Sequence, residues 1–139
     1  MKTINVTIVS AEKELYSGDV TFFAGTAVSG EIGVYHGHVP MLALLKPGQV
    51  RLTFADGKED VFWISGGIVE VQPNQIIVLA DSAERADALD EAAVEALREK
   101  TRKLWEDKEK GSFDVEQAKT ELSIATSQLD AINRLKNLK

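Results

Sequence analysis

The chain has 139 residues, 44% of them apolar, and a formal net charge of −6. This apolar fraction suffices for a packed core and excludes an intrinsically disordered chain. The acidic balance argues against nucleic acid and anionic membrane surfaces as direct partners, because both attract basic proteins. The lack of cysteine excludes disulfides and a cysteine nucleophile. No segment resembles a signal peptide or a membrane-spanning helix, so we expect a soluble protein.

The composition changes near Asp81. All three prolines, nine of the ten glycines and seven of the nine aromatic residues precede it. Alanine, leucine, glutamate, lysine and arginine dominate the rest of the chain. Turn-formers and strand-formers therefore occupy one half, and helix-formers occupy the other. The sequence predicts an all-β domain over residues 1–81 and a helical domain over residues 82–139.

The first half contains short apolar runs separated by turn residues. Ile4, Val6 and Ile8 alternate with polar residues, a pattern typical of a half-buried strand. A turn at Ser17-Gly18-Asp19 is predicted before the next strand. The other predicted strands are Val20–Ala24, Ile32–Tyr35, Met41–Leu45, Val50–Phe54, Val61–Ile64, Ile68–Val71 and Ile76–Ala80.

Two tight turns punctuate this series of strands. Asp56-Gly57 is a strong hairpin signal between two apolar runs, and Pro73-Asn74 forms a second turn. Short strands at regular spacing are typical of sandwiches and barrels. We therefore expect a flattened sandwich or barrel of about ten short strands.

The second half predicts an antiparallel α-helical hairpin. The first helix spans about residues 88–108 and begins at Asp87 or Asp90, both good caps. Its predicted apolar face comprises Leu89, Ala93, Ala96, Leu97 and Leu104. Gly111 ends this helix, and Asp114 begins a second one that runs to about residue 137. The short connector makes the two helices antiparallel neighbours.

The second helix carries an apolar seam with alternating spacings of three and four residues. The seam comprises Val115, Ala118, Leu122, Ala125, Leu129 and Ile132. Several positions are alanine, and a buried methyl contributes only ~0.8 kcal/mol. Helices of this length depend on packing for stability. We therefore expect a weakly held, movable hairpin.

No residue pattern predicts catalysis. Gly57-Lys58 lacks the earlier glycine of a phosphate-binding loop, where Leu52 stands, and Glu59 replaces the Ser/Thr that follows its lysine. Ser65-Gly66-Gly67 lacks the first glycine of a nucleophile elbow, where Trp63 stands. We therefore expect a protein without its own active site.

The histidines offer an alternative function. On one strand His36 and His38 would share a face, and Glu31 is a possible third metal ligand. A free-standing ligand- or metal-binding β-domain is thus the alternative hypothesis. A loop or interface role for the two histidines is the simpler interpretation.

Several motifs, in order, are similar to the epsilon subunit of bacterial F-type ATP synthase. The resemblance covers essentially the whole chain, including the helical hairpin. It is carried by the segments Val9-Ser10-Ala11-Glu12, Tyr16-Ser17-Gly18, Ser29-Gly30-Glu31-Ile32-Gly33-Val34-Tyr35-His36-Gly37-His38-Val39-Pro40, Leu45-Lys46-Pro47-Gly48, Ser65-Gly66-Gly67-Ile68-Val69-Glu70-Val71 and Val78-Leu79-Ala80-Asp81.

This resemblance implies a non-catalytic subunit of the central stalk. In the family, a β-sandwich of about ten strands binds the gamma subunit and the ring of c subunits, so that ion-driven rotation reaches the catalytic head. The helical hairpin inhibits ATP hydrolysis by leaving the sandwich and extending into the alpha–beta hexamer. The expected location is the cytoplasmic face of the bacterial plasma membrane, with membrane contact only through the complex.

The resemblance also implies the interface residues. Glu31 and His38 are the candidates for contact with the c-ring and gamma. Lys119, Arg134 and Lys136 of the second helix are expected to face acidic surfaces of the catalytic head.

ATP binding is the point at which this chain departs from some family members. Those members carry Ile/Leu-Asp, two residues, then Arg-Ala at the start of the first helix. Here Leu89-Asp90 is followed by Ala93 where the arginine is expected, and Arg98 lies more than a turn away. A charged donor for phosphate is lost. We therefore expect weak or no ATP binding and no other cofactor.

Overall fold

The computed structural model describes residues 2–106 and 115–138, leaving aside the side chains of Leu104, Trp105 and Val115. Within these residues, nine strands precede a 3₁₀ turn at Ala86–Ala88 and two helices. The strands are β1 (Ile4–Ser10), β2 (Glu14–Val20), β3 (Phe22–Ala27), β4 (Gly30–Val34), β5 (Met41–Thr53), β6 (Glu59–Ile64), β7 (Gly67–Gln72), β8 (Gln75–Ala80) and β9 (Ala83–Arg85). The helices are α1 (Glu91–Glu106) and α2 (Val115–Asn137). The predicted all-β domain followed by a helical hairpin is confirmed.

The strands form one curled sheet that encloses the main core. The order is β2-β1-β8-β7-β5-β3-β4, with β6 paired to β5 and β9 paired to β6. Neighbouring strands are antiparallel except β1 and β8, which are parallel. All nine strands contribute side chains to the core. Its largest fully buried members are Phe23, Phe62, Ile4, Ile8, Leu52, Ile64 and Ile76.

Strand β5 corrects the prediction of two strands at Met41–Leu45 and Val50–Phe54. It is one strand of 13 residues, which pairs with β7 in its first part and with β6 in its second. The buried positions shift by one residue between Leu45 and Val50, where Pro47-Gly48 lies. Proline cannot donate to a sheet ladder, so it is tolerated at such an irregularity. The turn-forming residues therefore bend this strand and do not end it.

The predicted turn at Ser17-Gly18-Asp19 is also wrong, because these residues lie inside β2. Gly18 pairs with Val6 of β1, and Asp19 accepts a hydrogen bond from Asn5 at 3.2 Å. A Cβ on Gly18 would lie 2.7 Å from the Tyr16 hydroxyl. A larger residue here would therefore displace the Tyr16 ring. The turn at Gly57 (φ +86°) and the Pro73-Asn74 turn between β7 and β8 are confirmed.

The sheet continues beyond Asp81. Strand β9, which was not predicted from the sequence, pairs with β6, and Arg85 lies opposite Phe62. The Arg85 guanidinium lies over the Phe62 ring, 5.0 Å from its centroid, and bonds Asp60 at 3.0 Å. The chain from Ala83 to Ala86 is therefore packed on the β-domain.

Helix α1 begins with a cap at Asp90, whose Oδ1 accepts a hydrogen bond from the Ala93 backbone N–H at 3.2 Å. Its predicted apolar face is wrong at Ala93, Ala96 and Leu97, which are exposed, whereas Leu89 packs on the buried clusters as predicted. The described buried side chains are Val94 and Thr101. The Thr101 hydroxyl donates to the Leu97 carbonyl at 2.9 Å, which satisfies it inside the helix. The predicted end near Lys108, Gly111 and Asp114 lie outside the described residues.

Helix α2 buries two faces. The predicted seam packs on α1, where Ala125, Leu129 and Ile132 form a cluster with Val94. A second face, missed in the sequence, contains Ile124, Ser127, Ala131 and Leu135 and lies against the β-domain. No described helix is both long and apolar enough to span a membrane.

Candidate interaction surfaces

The first surface is the outer face of β5 and β6, which we call the helix seat. It consists of Gln49, Arg51, Glu59, Val61 and Trp63. Cross-strand pairing places Gln49 opposite Trp63 and Arg51 opposite Val61. Their neighbours Val50, Leu52, Phe62 and Ile64 point into the core. Because side chains alternate along a strand, the seat faces outward, and α2 covers it.

The apolar part of this contact combines two alanines with larger side chains. Val61 and Trp63 form a buried cluster with Ala86 and Ala131. The partly buried side chains packed on it are Leu89, Ile124 and Leu135. Alanine methyls contribute little burial free energy, so the polar contacts carry much of the specificity of docking.

A buried hydrogen bond lies at the centre of the seat. The Trp63 indole Nε1–H donates to the Ser127 Oγ at 2.8 Å. Ser127 in turn donates to the Ile124 carbonyl at 2.7 Å. Both polar groups are therefore satisfied in a buried environment. From the sequence, Trp63 was predicted to lie in a strand of the β-domain, and no role was predicted for it. In the structure, the Trp63 indole marks the position at which α2 docks.

An ion pair holds the C-terminal part of α2. The Arg134 guanidinium donates two hydrogen bonds to the Glu59 carboxylate, both at 2.9 Å. Glu59 is 13% exposed, so removal of Arg134 would leave a largely buried carboxylate without its ion-pair partner. Hydrogen bonding to Glu59 raises the pKa of Arg134, and the charges of Glu59 and Glu31 add to the rise, against a smaller desolvation effect.

The other two basic residues predicted as contacts of the catalytic head have different environments. Lys136 donates to Glu91 of α1 at 2.7 Å. Lys119 is exposed and lines a cleft of about 530 Å³ between α2 and β5. Arg134 and Lys136 are thus paired within this chain, and their contact with a catalytic head stays a prediction.

The second surface is an exposed apolar row across the first part of β5 and its neighbours. It consists of Val28, Leu42, Leu44, Ile68 and Leu79. The Val28 backbone N–H donates a hydrogen bond to the Leu44 carbonyl. Leu44 lies opposite Ile68 on β7, and Ile68 lies opposite Leu79 on β8. Leu42 and Leu44 are 70% and 62% exposed. Clustered exposed apolar residues mark contact sites.

A shallow groove borders this apolar row. It has a volume of about 480 Å³, and its lining includes Val9, Ser10, Ala11, Ile68 and Leu79. The sequence contains a signal for this surface. Met41–Leu45 is apolar at every position, whereas a half-buried strand has polar residues on its outer face.

The predicted rotor-facing residues Glu31 and His38 lie in different settings. Glu31, on β4, forms an ion pair with Arg51 of the helix seat and accepts a hydrogen bond from the Thr26 hydroxyl at 3.4 Å. His38 follows β4, and its Nδ1 lies 2.7 Å from the Val39 carbonyl oxygen. Glu31 is thus directed toward the helix seat, and the roles of both residues stay predictions.

The positions of His36, His38 and Glu31 do not support the alternative of a metal site. His36 and Gly37 form a turn, with Gly37 at φ +88°, so the two histidines do not share a strand face. The Glu31 carboxylate pairs with Arg51. Within residues 2–106 and 115–138, no three potential ligands are grouped for a metal ion.

The side chains considered for ATP binding make local contacts with α1 residues. Asp90 caps the helix, and Arg98 donates to Glu95 at 2.6 Å. Ala93 is exposed between them. The described contacts do not join Asp90 and Arg98 into one site.

Comparison with known proteins gives the family. Residues 3–86 match the model described as "ATP synthase, Delta/Epsilon chain, beta-sandwich domain". The "ATP synthase epsilon chain" of Nitrosococcus oceani is 45% identical over 134 residues, which cover 96% of this chain and 95% of that protein. The protein of the same name from Xanthomonas euvesicatoria is 44% identical over 140 residues, covering 100% and 99% of the two chains.

Solved structures share the fold. A chain from the Euglena gracilis mitochondrial ATP synthase, in a structure of OSCP, F1 and the c-ring, has a TM-score of 0.80 at 22% identity. This match covers 94% of this chain and 81% of that chain. A chain from the central stalk and c-ring of the Tetrahymena thermophila enzyme has a TM-score of 0.62 at 18% identity, covering 94% and 97%.

Replacing Ser127 tests the central hydrogen bond. Ser127→Ala leaves the buried Trp63 indole N–H without its partner, so we expect the docked hairpin to lose about 1–3 kcal/mol. In a Trp105→Phe background, Trp63 emission reports docking, and urea should shift it at lower concentration. Exposed Ser123→Ala on the same helix is the control. Equal urea midpoints for both variants would show that this bond does not hold α2.

Proposed function

The chain belongs to the ATP synthase epsilon chain family, and we propose that it is a non-catalytic rotor subunit of the central stalk. In this role it binds the gamma subunit and the c-ring, so that ion-driven rotation reaches the catalytic head. The observation that carries this proposal is the separation of two surfaces on one β-domain. One is exposed and apolar, and the other is covered by a lightly held helical hairpin.

The gamma subunit is the proposed partner of the apolar row. A rotor subunit must rotate together with the gamma subunit, which requires a persistent interface with an apolar centre. Leu44, Ile68 and Leu79 lie on three adjacent strands that form part of the sheet, so they present a pre-organised surface. The groove beside them accepts a protruding side chain of the partner.

The c-ring is the proposed partner of the Gly30–His38 end. Most residues of this segment are exposed, and the Gly37 backbone N–H is tied to the Pro73 carbonyl at 2.7 Å. The segment is thereby held against the β7–β8 turn. Glu31 supplies a negative charge there, and His38 supplies an imidazole ring that can hydrogen-bond a partner. Contact with the c-ring would place this subunit at the cytoplasmic face of the bacterial plasma membrane, with bilayer contact only through the complex.

Inhibition of ATP hydrolysis is the proposed role of the hairpin. Release of α2 breaks the Arg134–Glu59 pair and frees a cation for acidic surfaces of the alpha–beta hexamer. Lys136 and the exposed Lys119 lie on the same helix. The helix thus exchanges one set of carboxylates for another, which keeps the free-energy difference between the two states small.

We propose that ATP does not control this exchange strongly. Asp90 caps α1 and Arg98 pairs with Glu95. Ala93 offers phosphate no charged donor. In this chain, the balance between the two hairpin positions is therefore set by protein contacts.

A charge in the apolar row tests binding to gamma. Leu44→Asp buries a carboxylate in the proposed interface, so we expect affinity for the gamma subunit to fall at least about tenfold. Isothermal titration calorimetry with purified gamma measures this. Ala55→Asp adds the same charge in the β5–β6 turn and should bind like the natural chain. Undiminished binding of Leu44→Asp would place gamma elsewhere.

Truncation and loosening of the hairpin should change ATP hydrolysis in opposite directions. A chain ending at Ala88 keeps β9 and Ala86 on the β-domain and lacks both helices. Reconstituted with the other subunits, it should assemble and raise ATP hydrolysis severalfold. Ser127→Ala, which loosens docking, should lower hydrolysis below that of the natural chain. Equal rates for the truncated and full chains would contradict an inhibitory hairpin.

A further inference from the structure

The carboxylate of Glu31 connects two surfaces that the proposed function treats separately. Glu31 is on β4, in the segment proposed to face the rotor. Its side chain, however, forms an ion pair with Arg51, a member of the helix seat. The side chain is 48% exposed, so a second partner can still approach it. One carboxylate therefore has access to both the seat and the solvent.

The strand register explains this position. Glu31 pairs with Thr26 on β3, and the Thr26 hydroxyl donates to the Glu31 carboxylate. The same hydroxyl oxygen accepts the Gln49 backbone N–H at 3.3 Å, in the seat itself. Thr26 also lines the cleft beside α2 together with Asp130, one helical turn before Arg134. Glu31 thus lies beside the docked helix through contacts with β3 and β5.

Two ion pairs lie around this point in the docked state. Two guanidinium groups, Arg51 and Arg134, face the carboxylates of Glu31 and Glu59, and Asp130 lines the same cleft. Arg51 and Glu59 are diagonal neighbours on β5 and β6, because Arg51 pairs with Val61 and Thr53 with Glu59. The negative charge of Glu31 also favours the charged form of Arg134 and contributes to its raised pKa. Loss of the Glu31–Arg51 pair would therefore leave Arg51 free to turn toward Glu59.

We propose that Glu31 is part of the site that holds α2, and that a cationic group of a partner bound to Glu31 loosens the hairpin. Such a group takes the carboxylate away from Arg51, which then competes with Arg134 for Glu59. Coupling of this kind is reciprocal, so a docked hairpin also weakens binding of the cation at Glu31. The inference rests on the proposed function, because it assigns the rotor-facing end a partner and the hairpin a second position.

Charge-graded substitutions at Glu31 test the coupling in the full-length chain. Glu31→Gln removes the charge and keeps hydrogen-bonding atoms, whereas Glu31→Lys places a cation where the partner's group would lie. Hydrogen exchange of α2 amides, followed by mass spectrometry, measures opening of the hairpin. We expect Glu31→Gln to accelerate α2 exchange roughly two- to fivefold, the effect of a partly exposed ion pair. Glu31→Lys should accelerate it further, with unchanged exchange in β1 and β8.

Two controls separate coupling from a local defect. Glu70→Gln removes the same charge from β7 and should leave α2 exchange unchanged. In an Arg134→Met background, Glu31→Gln should lose most of its effect, because the group through which it acts is absent. An equal acceleration with and without Arg134, or none in either background, would overturn the proposal. These measurements need no partner subunit, so their failure leaves the Leu44→Asp test of gamma binding intact.

Discussion

The position of α2 depends on a contact that is specific but not strong. Its apolar part includes two alanines, and one buried hydrogen bond joins the Trp63 indole to Ser127. One ion pair, between Arg134 and Glu59, holds the end of the helix. Such a contact selects a single register because the polar partners must meet, and each of its two alanine methyls adds little burial free energy. The β-domain, by contrast, has a core to which all nine strands contribute. This difference is what our proposal of a hairpin that changes partners rests on.

Strand β5 organises both surfaces. Its first part carries Leu42 and Leu44 outward beside β7, and its second part presents Gln49 and Arg51 to α2 beside β6. The irregularity at Pro47-Gly48 changes which side chains face the core. A Cβ on Gly48 would lie 2.6 Å from the Thr26 side chain, so only glycine permits β3 to approach here. The proposed rotor contact and the helix seat are therefore built on one rigid strand.

The sequence predicted what depends on local pattern and missed what depends on partners. Alternation in Ile4–Ile8, the Asp56-Gly57 turn and the seam of α2 are local signals. The first two are confirmed, and the seam is confirmed at Ala125, Leu129 and Ile132. The face of α1 was predicted wrongly because Thr101 satisfies its hydroxyl inside the helix and can be buried. Glycine at residue 18 and proline at residue 47 suggested turns, but long-range pairing keeps both inside strands.

The candidate functional residues also divide into those indicated by the sequence and those that depend on tertiary contacts. Family resemblance pointed to Glu31, Arg134 and Lys136 as contacts of other subunits, and it cannot indicate that Arg134 and Lys136 pair within this chain. Ser127 carries no sequence signal, because a serine on a helix is usually solvated. Its role follows only from the placement of Trp63 on the facing strand. Docking contacts between two segments are properties of the tertiary structure.

The proposed hairpin has two positions, and a distance between the β-domain and α2 distinguishes them. The chain has no cysteine, so Glu70→Cys on β7 and Asn133→Cys on α2 give a clean pair of spin labels. Double electron–electron resonance should show one distance in the free chain. In the assembled complex, a second and longer distance should appear. A single distance, unchanged between the free chain and the complex, would contradict the account.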